Sequence, residues 1–221
     1  MNKTILPSLL SFSIEHWKSC INISKINGIN EFHFDVMEYD YVKNTSFNAN
    51  EFQYFLSIDN NIFANVHLMV VNPWKWIDKF SSERTTCIYF HYEVLDSIED
   101  CIKLINYIKS KKISAGIVIN PNNKFDEYKL LLFHIDSVLV MGVNPGFGGQ
   151  AFIMKTLDNL KEIYNFKIDN NLKYVIEFDG GLNQETTELV FPYTQKFVMG
   201  NYYYKNIDNI KNLLQWFKSL N

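Results

Sequence analysis

Val138-Leu-Val-Met-Gly-Val-Asn-Pro-Gly-Phe-Gly-Gly-Gln150 joins an apolar run ending at Met141 to a loop with three glycines in four residues, Gly146, Gly148 and Gly149. The run reads as a strand. The loop reads either as a tight turn into a helix or as an anion cradle, because glycine lets backbone N–H groups turn inward and approach a ligand closely. It contains no Lys or Arg, so a phosphate held there would rest on amide dipoles. Its place in the chain separates two architectures. An open doubly wound sheet usually carries such a loop after its first strand, whereas here the loop follows the sixth.

Working outward from that loop, short apolar runs alternate with longer amphipathic segments. The runs are Ile5–Leu10, Glu31–Met37, Ile62–Met69, Thr86–Phe90, Ile113–Ile119, Ser137–Met141, Tyr174–Phe178 and Lys196–Met199. Helices are expected over Phe12–Ile26, Asn50–Ser57, Pro73–Phe80, Ser97–Ser110, Lys124–Phe133, Met154–Asn165, Gln184–Val190 and Ile207–Leu220. Ser24 falls on the apolar face of the first helix and weakens its stripe. Pro73 suits a first helical turn, where a missing N–H costs nothing, and Ser97 suits an N-cap. Eight strand–helix units without a long linker, repeat or low-complexity block predict a single (β/α)₈ TIM barrel of parallel strands spanning residues 1–221.

Composition excludes several classes. The net charge of −3 argues against a nucleic-acid partner, which calls for a basic face. No run approaches the roughly 18 apolar residues that cross a bilayer, and the apolar stretch in Met1–Pro7 is too short for a signal peptide. Cys20, Cys87 and Cys101 have no C-x-x-C spacing, so reduced core thiols and a cytoplasmic location are expected.

In a TIM barrel, chemistry sits at the C-terminal ends of the strands. His33 and Asp35 lie near the end of the second run, two residues apart and therefore on one face of a strand. Inside a barrel that face is the lumen, where an unpaired charge costs several kcal/mol. His67 ends the third run and Asp179 the seventh. Two imidazoles and two carboxylates suit one divalent ion: Zn²⁺, Fe²⁺, Mn²⁺ or Co²⁺. Each residue alone also has a bland reading: a core histidine, a turn aspartate before Gly180-Gly181, or, for Ser8, a side chain that merely satisfies a backbone group. His91 and Glu93 are expected at the rim or behind the site, and His16 and His134 as ordinary histidines. Met37, Met69 and Met141 approach the same mouth, as core filling or as a dry floor. Trp74, Trp76 and Trp216 read as packing.

Six segments together resemble the ribulose-phosphate 3-epimerase family: Pro7-Ser-Leu-Leu-Ser11, His33-Phe-Asp-Val-Met37, Val66-His-Leu-Met69, Asn120-Pro121, Val143–Gln150 with Phe152, and Glu177-Phe-Asp-Gly-Gly181. The resemblance covers essentially the whole chain, in order. It implies a cis-enediolate epimerisation at C3 of D-ribulose 5-phosphate, with Asp35 and Asp179 as the acid/base pair and His33, Asp35, His67 and Asp179 as metal ligands. It implies substrate contacts from Ser8, His67, Met141, Gly146, Phe147, Gly148, Gly149, Gly180, Gly181, Gly200 and Asn201. The partner it implies is a small sugar phosphate. Departures flank the pocket: Gly200-Asn201 replaces the family's Gly-Ser, and Lys43 stands where proline is usual. They leave a ketohexose 6-phosphate, such as allulose 6-phosphate, as an alternative substrate. A barrel that binds sugar phosphate without turnover is a third reading, and both aspartates speak against it. A phosphate-binding decarboxylase would need an Asp-x-Lys motif, which the chain lacks. Trp216, Phe217 and Tyr202-Tyr203-Tyr204 are candidate contacts for a homo-oligomer, and Phe147 with its flanking glycines suggests a lid.

Overall fold

In the computed structural model, which describes residues 3–220, the alternation of runs becomes eight strands of one parallel sheet. Met1, Asn2 and Asn221 lie outside the described residues, so the expected N-terminal stretch is seen only from Lys3. The strands are β1 Thr4–Pro7, β2 Glu31–Met37, β3 Phe63–Met69, β4 Thr85–His91, β5 Ser114–Ile119, β6 Ser137–Met141, β7 Val175–Asp179 and β8 Lys196–Met199. The helices are α1 Ile14–Ile26, α2 Tyr39–Val42, α3 Ala49–Ile58, α4 Ile77–Phe80, α5 Ile98–Ser110, α6 Phe125–Tyr128, α7 Thr156–Asp169, α8 Gln184–Val190, α9 Asn201–Lys205 and α10 Ile210–Ser219.

The strand order is β1-β8-β7-β6-β5-β4-β3-β2, and a parallel bridge between Ser8 and His33 brings the two ends together. A (β/α)₈ barrel results, as the alternation requires. Its lumen is filled by Leu6, Cys87, Tyr89, Val118, Leu139, Met141, Val143 and Val198. A Cβ on Gly116 would lie 2.3 Å from the Tyr89 ring, so glycine there makes room for that lumen side chain.

The larger core lies between sheet and helices. Around β2 it is aromatic: Phe34 packs on Trp17, Phe52, Phe55 and Phe80 at ring separations of 5.5–6.0 Å. Ser24 does not weaken the stripe of α1. It is fully buried, and its hydroxyl pairs with the Tyr203 hydroxyl at 2.7 Å while donating to the Cys20 carbonyl. A polar residue holds the apolar face because both its bonds are made internally.

Several boundaries move. Pro73–Phe80 is a 3-10 turn over Pro73–Lys75 followed by α4, and Lys124–Phe133 divides into α6 and a 3-10 turn over Leu131–Phe133. α7 starts at Thr156 and runs on to Asp169. The first strand ends at Pro7, because Ser8 turns the chain into a 3-10 turn over Leu9–Ser11. Trp74 is 40% exposed and packs only at the surface, its ring 5.6 Å from that of Tyr107. Tyr203 and Phe217 are buried in the core, which removes both from any outer contact face, while Tyr204 is half exposed. Among the described residues, no helix is long and apolar enough to cross a membrane.

Candidate active site

The site begins with the register of β2. Phe34 points outward into the aromatic cluster, so His33 and Asp35 must point into the lumen. Asp35 pairs in register with His67 on β3, and Met141 on β6 pairs with Asp179 on β7. Four side chains thereby converge. His33 Nε2 and His67 Nδ1 lie 3.3 and 3.2 Å from Asp35 Oδ1, and 3.8 and 3.9 Å from Asp179 Oδ2. One donor atom from each residue falls within 4.8 Å of every other.

Their chemistry fits a divalent ion. Bonds of about 2.0–2.2 Å in a tetrahedron place ligand atoms roughly 3.3–3.6 Å apart. The buried His33 Nε2 has no hydrogen-bond partner and faces the two carboxylates, the lone-pair direction that a metal uses.

Beneath these four lies a fully buried polar layer. His33 Nδ1 meets Asn65 Oδ1 at 2.8 Å, and Asn65 Nδ2 donates to Glu177 Oε2 at 2.9 Å. Tyr89 donates to the same oxygen at 2.8 Å and pairs with Ser137 at 2.7 Å. Since the Asn65 amide donates to Glu177, its oxygen is left to accept, which places the proton of His33 on Nδ1. On the other side, His67 Nε2 sits 2.9 Å from His91 Nε2.

Burial and charge separate the two aspartates. Burial opposes ionisation of Asp35, but His33 and His67 hold its carboxyl well below the usual range. Burial, and then the charge of Asp35, pushes Asp179 up to about 7. Burial also opposes charge on His33, yet Asp35, Glu177 and Asp179 raise it well above an ordinary histidine. Burial lowers His67, and burial with His67 beside it lowers His91 further.

Above the four lies a cavity of about 270 Å³. Asp35, Asp179 and the three methionines Met37, Met69 and Met141 form its depth, and Ser8, Gly146–Gly149, Gly180, Gly181, Gly200 and Asn201 its walls. His33 and His67 are fully buried behind the two aspartates and do not line it. Ser8 accepts from Leu10 N at 3.3 Å, which is the bland role, and donates to Asp35 Oδ2 at 2.7 Å, which aims the carboxylate.

The glycine loop is tied down from two sides. Gln150 Nε2 donates to the carbonyls of Asn144 and Phe147, and Asn44 Nδ2 donates to the Gly146 carbonyl at 2.7 Å. Gly149 has φ +77°, and a Cβ there would fall 2.5 Å from Asn201 Nδ2. Phe147, at the loop tip, is 56% exposed. Lys43 adopts φ +53°, a left-handed conformation closed to proline, so the departure at this position changes the backbone itself.

Glu177, Asn65, Tyr89 and Ser137 carry no assigned role in the sequence reading, yet they support the site from below. The same signal that exposed His33 and Asp35 could have found most of them. Asn65/His67, Tyr89/His91 and Glu177/Asp179 repeat the pattern of two polar or aromatic-polar residues two apart at a strand end. His91 is buried behind His67, and Glu93 accepts hydrogen bonds from Tyr41, Asn120 and Asn123, in line with their expected places. His16 and His134 are exposed, away from the cavity.

The barrel is shared with proteins of very different sequence. A mutant tryptophan synthase alpha-subunit from Pyrococcus furiosus superposes with a TM-score of 0.67 at 12% identity, over 95% of this chain and 92% of that one. Phospho-2-dehydro-3-deoxyheptonate aldolase from Thermotoga maritima gives 0.68 at 10% identity, over 99% and 68%. Sequence relatives are closer. Ribulose-phosphate 3-epimerase of Bacillus subtilis (strain 168) is 31% identical over 187 residues, 84% of each chain. That of Buchnera aphidicola subsp. Acyrthosiphon pisum is 31% identical over 207 residues, 93% of this chain and 90% of its own. A family model described as ribulose-phosphate 3 epimerase matches residues 4–204. The chain belongs to the ribulose-phosphate 3-epimerase family.

Proposed function

We propose that this protein is a metal-dependent epimerase that inverts C3 of D-ribulose 5-phosphate to give D-xylulose 5-phosphate through a cis-enediolate. The observation that carries the reading is a pair of carboxylates, Asp35 and Asp179, facing one cavity with their protonation tendencies driven apart. Removing a proton beside a carbonyl and returning one to the opposite face needs a base and an acid together. Environments that split two carboxylates provide such a pair. Asp35, held ionised, takes the proton in one direction, Asp179 delivers one, and the roles exchange in reverse.

His33, Asp35, His67 and Asp179 would hold one divalent ion, Zn²⁺, Fe²⁺, Mn²⁺ or Co²⁺, which supplies Lewis-acid stabilisation of the developing negative charge. Ser8 keeps the Asp35 carboxylate in a fixed plane. The methionine floor excludes water around the reacting carbon. Backbone N–H groups of the Gly146–Gly149 and Gly180–Gly181 loops receive the phosphate, and no membrane or nucleic-acid partner is invoked. Three buried free cysteines suit a reducing cytoplasm.

A coupled assay on D-ribulose 5-phosphate tests the reading. Asp35→Asn and Asp179→Asn should each lower kcat by about 10²–10⁴-fold. Near-normal turnover by either variant would refute the two-carboxylate mechanism. A higher kcat/KM for a ketohexose 6-phosphate would redirect the substrate assignment and leave the chemistry intact.

A further inference from the structure

His91 is a buried histidine to which the proposed reaction gives no task. It ends β4, where Phe90 packs outward into the core between sheet and helices and so turns Tyr89 and His91 into the lumen. Tyr89 joins the lower polar layer through Glu177, and His91, two residues further along the strand, meets His67. Its Nε2 lies 2.9 Å from His67 Nε2, with the two rings 5.1 Å apart and tilted by 30°. The Tyr41 ring packs against His91 at 4.9 Å. Tyr41 is pinned there by its hydroxyl, which donates to Glu93 Oε1 at 2.8 Å, and Glu93 is held in turn by Asn120 and Asn123. The seat of His91 is therefore fixed by its neighbours.

Two ring nitrogens at this distance share one proton, so one ring donates and the other accepts. If His91 donated, the proton of a neutral His67 would sit on Nδ1, 3.2 Å from Asp35 Oδ1. That tautomer covers the lone pair with which His67 faces Asp35 and Asp179. If His67 donates, its Nδ1 is bare and directed at both carboxylates, as a ligand must be. The direction of one hydrogen bond thus decides whether His67 can hold a metal. An imidazole acceptor also suits the surroundings. Asp35, Asp179 and Glu177 already bring three carboxylates to His33, and an uncharged ring adds no fourth. The arrangement puts the proton of His91 on its Nδ1, a buried atom without a hydrogen-bond partner among the described residues. It is favoured once a metal takes the Nδ1 lone pair of His67.

We propose that His91 is a positioning residue for the metal: it accepts the Nε2 proton of His67 and so holds that ring as the tautomer whose Nδ1 can ligate. The inference rests on the metal-dependent reading above. His91 touches neither substrate nor metal and acts through His67. The two ligating histidines are thereby braced from opposite ring atoms, His33 through Nδ1 on Asn65 and His67 through Nε2 on His91.

NMR of uniformly nitrogen-labelled, zinc-loaded protein reads the tautomers directly through long-range proton–nitrogen couplings. His67 should show a metal-bound Nδ1 and a protonated Nε2, and His91 a protonated Nδ1 and a bare Nε2. A proton on His67 Nδ1 or on His91 Nε2 would overturn the proposal. Competition for Zn²⁺ against a chelator gives a second reading, with the fold checked by circular dichroism. His91→Phe keeps a ring but removes the acceptor, and should weaken zinc binding by about 10- to 100-fold. His91→Gln, whose amide oxygen can accept, should recover most of that loss. An affinity within about twofold of wild type in His91→Phe contradicts the brace, as does an equal loss in both variants, which would mark a packing role. A wild type that binds no zinc brings down the metal reading and this inference with it. Wild-type binding that His91→Phe leaves intact removes the brace alone.

Discussion

His33 shows at the residue scale how the site is built in layers. Its Nε2 faces the two aspartates while its Nδ1 is engaged by Asn65, and Asn65 is aimed by Glu177. Partners of this kind fix the tautomer of a ligating imidazole, and losing them typically weakens metal affinity by about 10- to 100-fold. Glu177→Gln should produce a loss in that range, read by Co²⁺ or Zn²⁺ competition against a chelator with the fold checked by circular dichroism. Unchanged affinity would sever Glu177 from the metal. Proton linkage gives a second expectation. In the metal-free protein His33 is raised well above its ordinary value, so a metal arriving at pH 6 displaces a proton from its Nε2. Affinity should therefore climb as pH rises. Calorimetry in buffers of different ionisation enthalpy should register proton release, and its absence would contradict this electrostatic picture. The sign for folding follows the same shifts. Raised pKa values stabilise the metal-free fold at low pH, and that contribution is lost as pH rises through them. His33, Asp35, His67 and Asp179 were legible because polar residues ending apolar runs demand an explanation. Glu177 was less so, because a charge inside a strand declares its burial only when the neighbouring strands bring Asn65 and Tyr89 to meet it.

At the scale of elements, β2 shows why an outward residue matters to the chemistry. Phe34 belongs to the core between sheet and helices, and its burial fixes which way His33 and Asp35 face. Phe34→Ala should cost about 3–5 kcal/mol in denaturant unfolding. A loss below about 1 kcal/mol would mean the aromatic cluster does not set the register. The glycine loop is braced by Gln150 and Asn44, so its shape is largely preformed. Asn44→Ala should raise KM several-fold while leaving the unfolding midpoint within about 4 °C, since a partly buried hydrogen bond contributes only about 1 kcal/mol. Gly148→Pro probes lid closure: normal binding and turnover would argue against movement of this loop. Strand and helix order was readable from periodicity. The breaks within Pro73–Phe80 and Lys124–Phe133 were not, because short apolar patterns fit a 3-10 turn as well as an α-helix.

Across the whole molecule, the barrel and its chemistry have separate origins. Relatives in structure at 10–12% identity keep the eight-unit architecture, so strict alternation of strand and helix was enough to predict it. The residues at the seam were not legible: Ser8 turns out of β1 to bridge His33, and the same turn puts the Ser8 hydroxyl on Asp35. The placement of Tyr203 and Phe217 inside the core likewise depends on how the last helices wrap, which a local pattern does not encode.

The central claim is that one carboxylate removes the C3 proton and a second returns one from the opposite face. It is tested most directly by running the metal-loaded enzyme on D-ribulose 5-phosphate in deuterated water and following C3 by NMR at low conversion. The account predicts D-xylulose 5-phosphate carrying deuterium at C3, little deuterium in the remaining substrate, and no product after chelation until a divalent ion is restored. Product that retains its original C3 proton, or turnover that survives complete removal of metal, would contradict it.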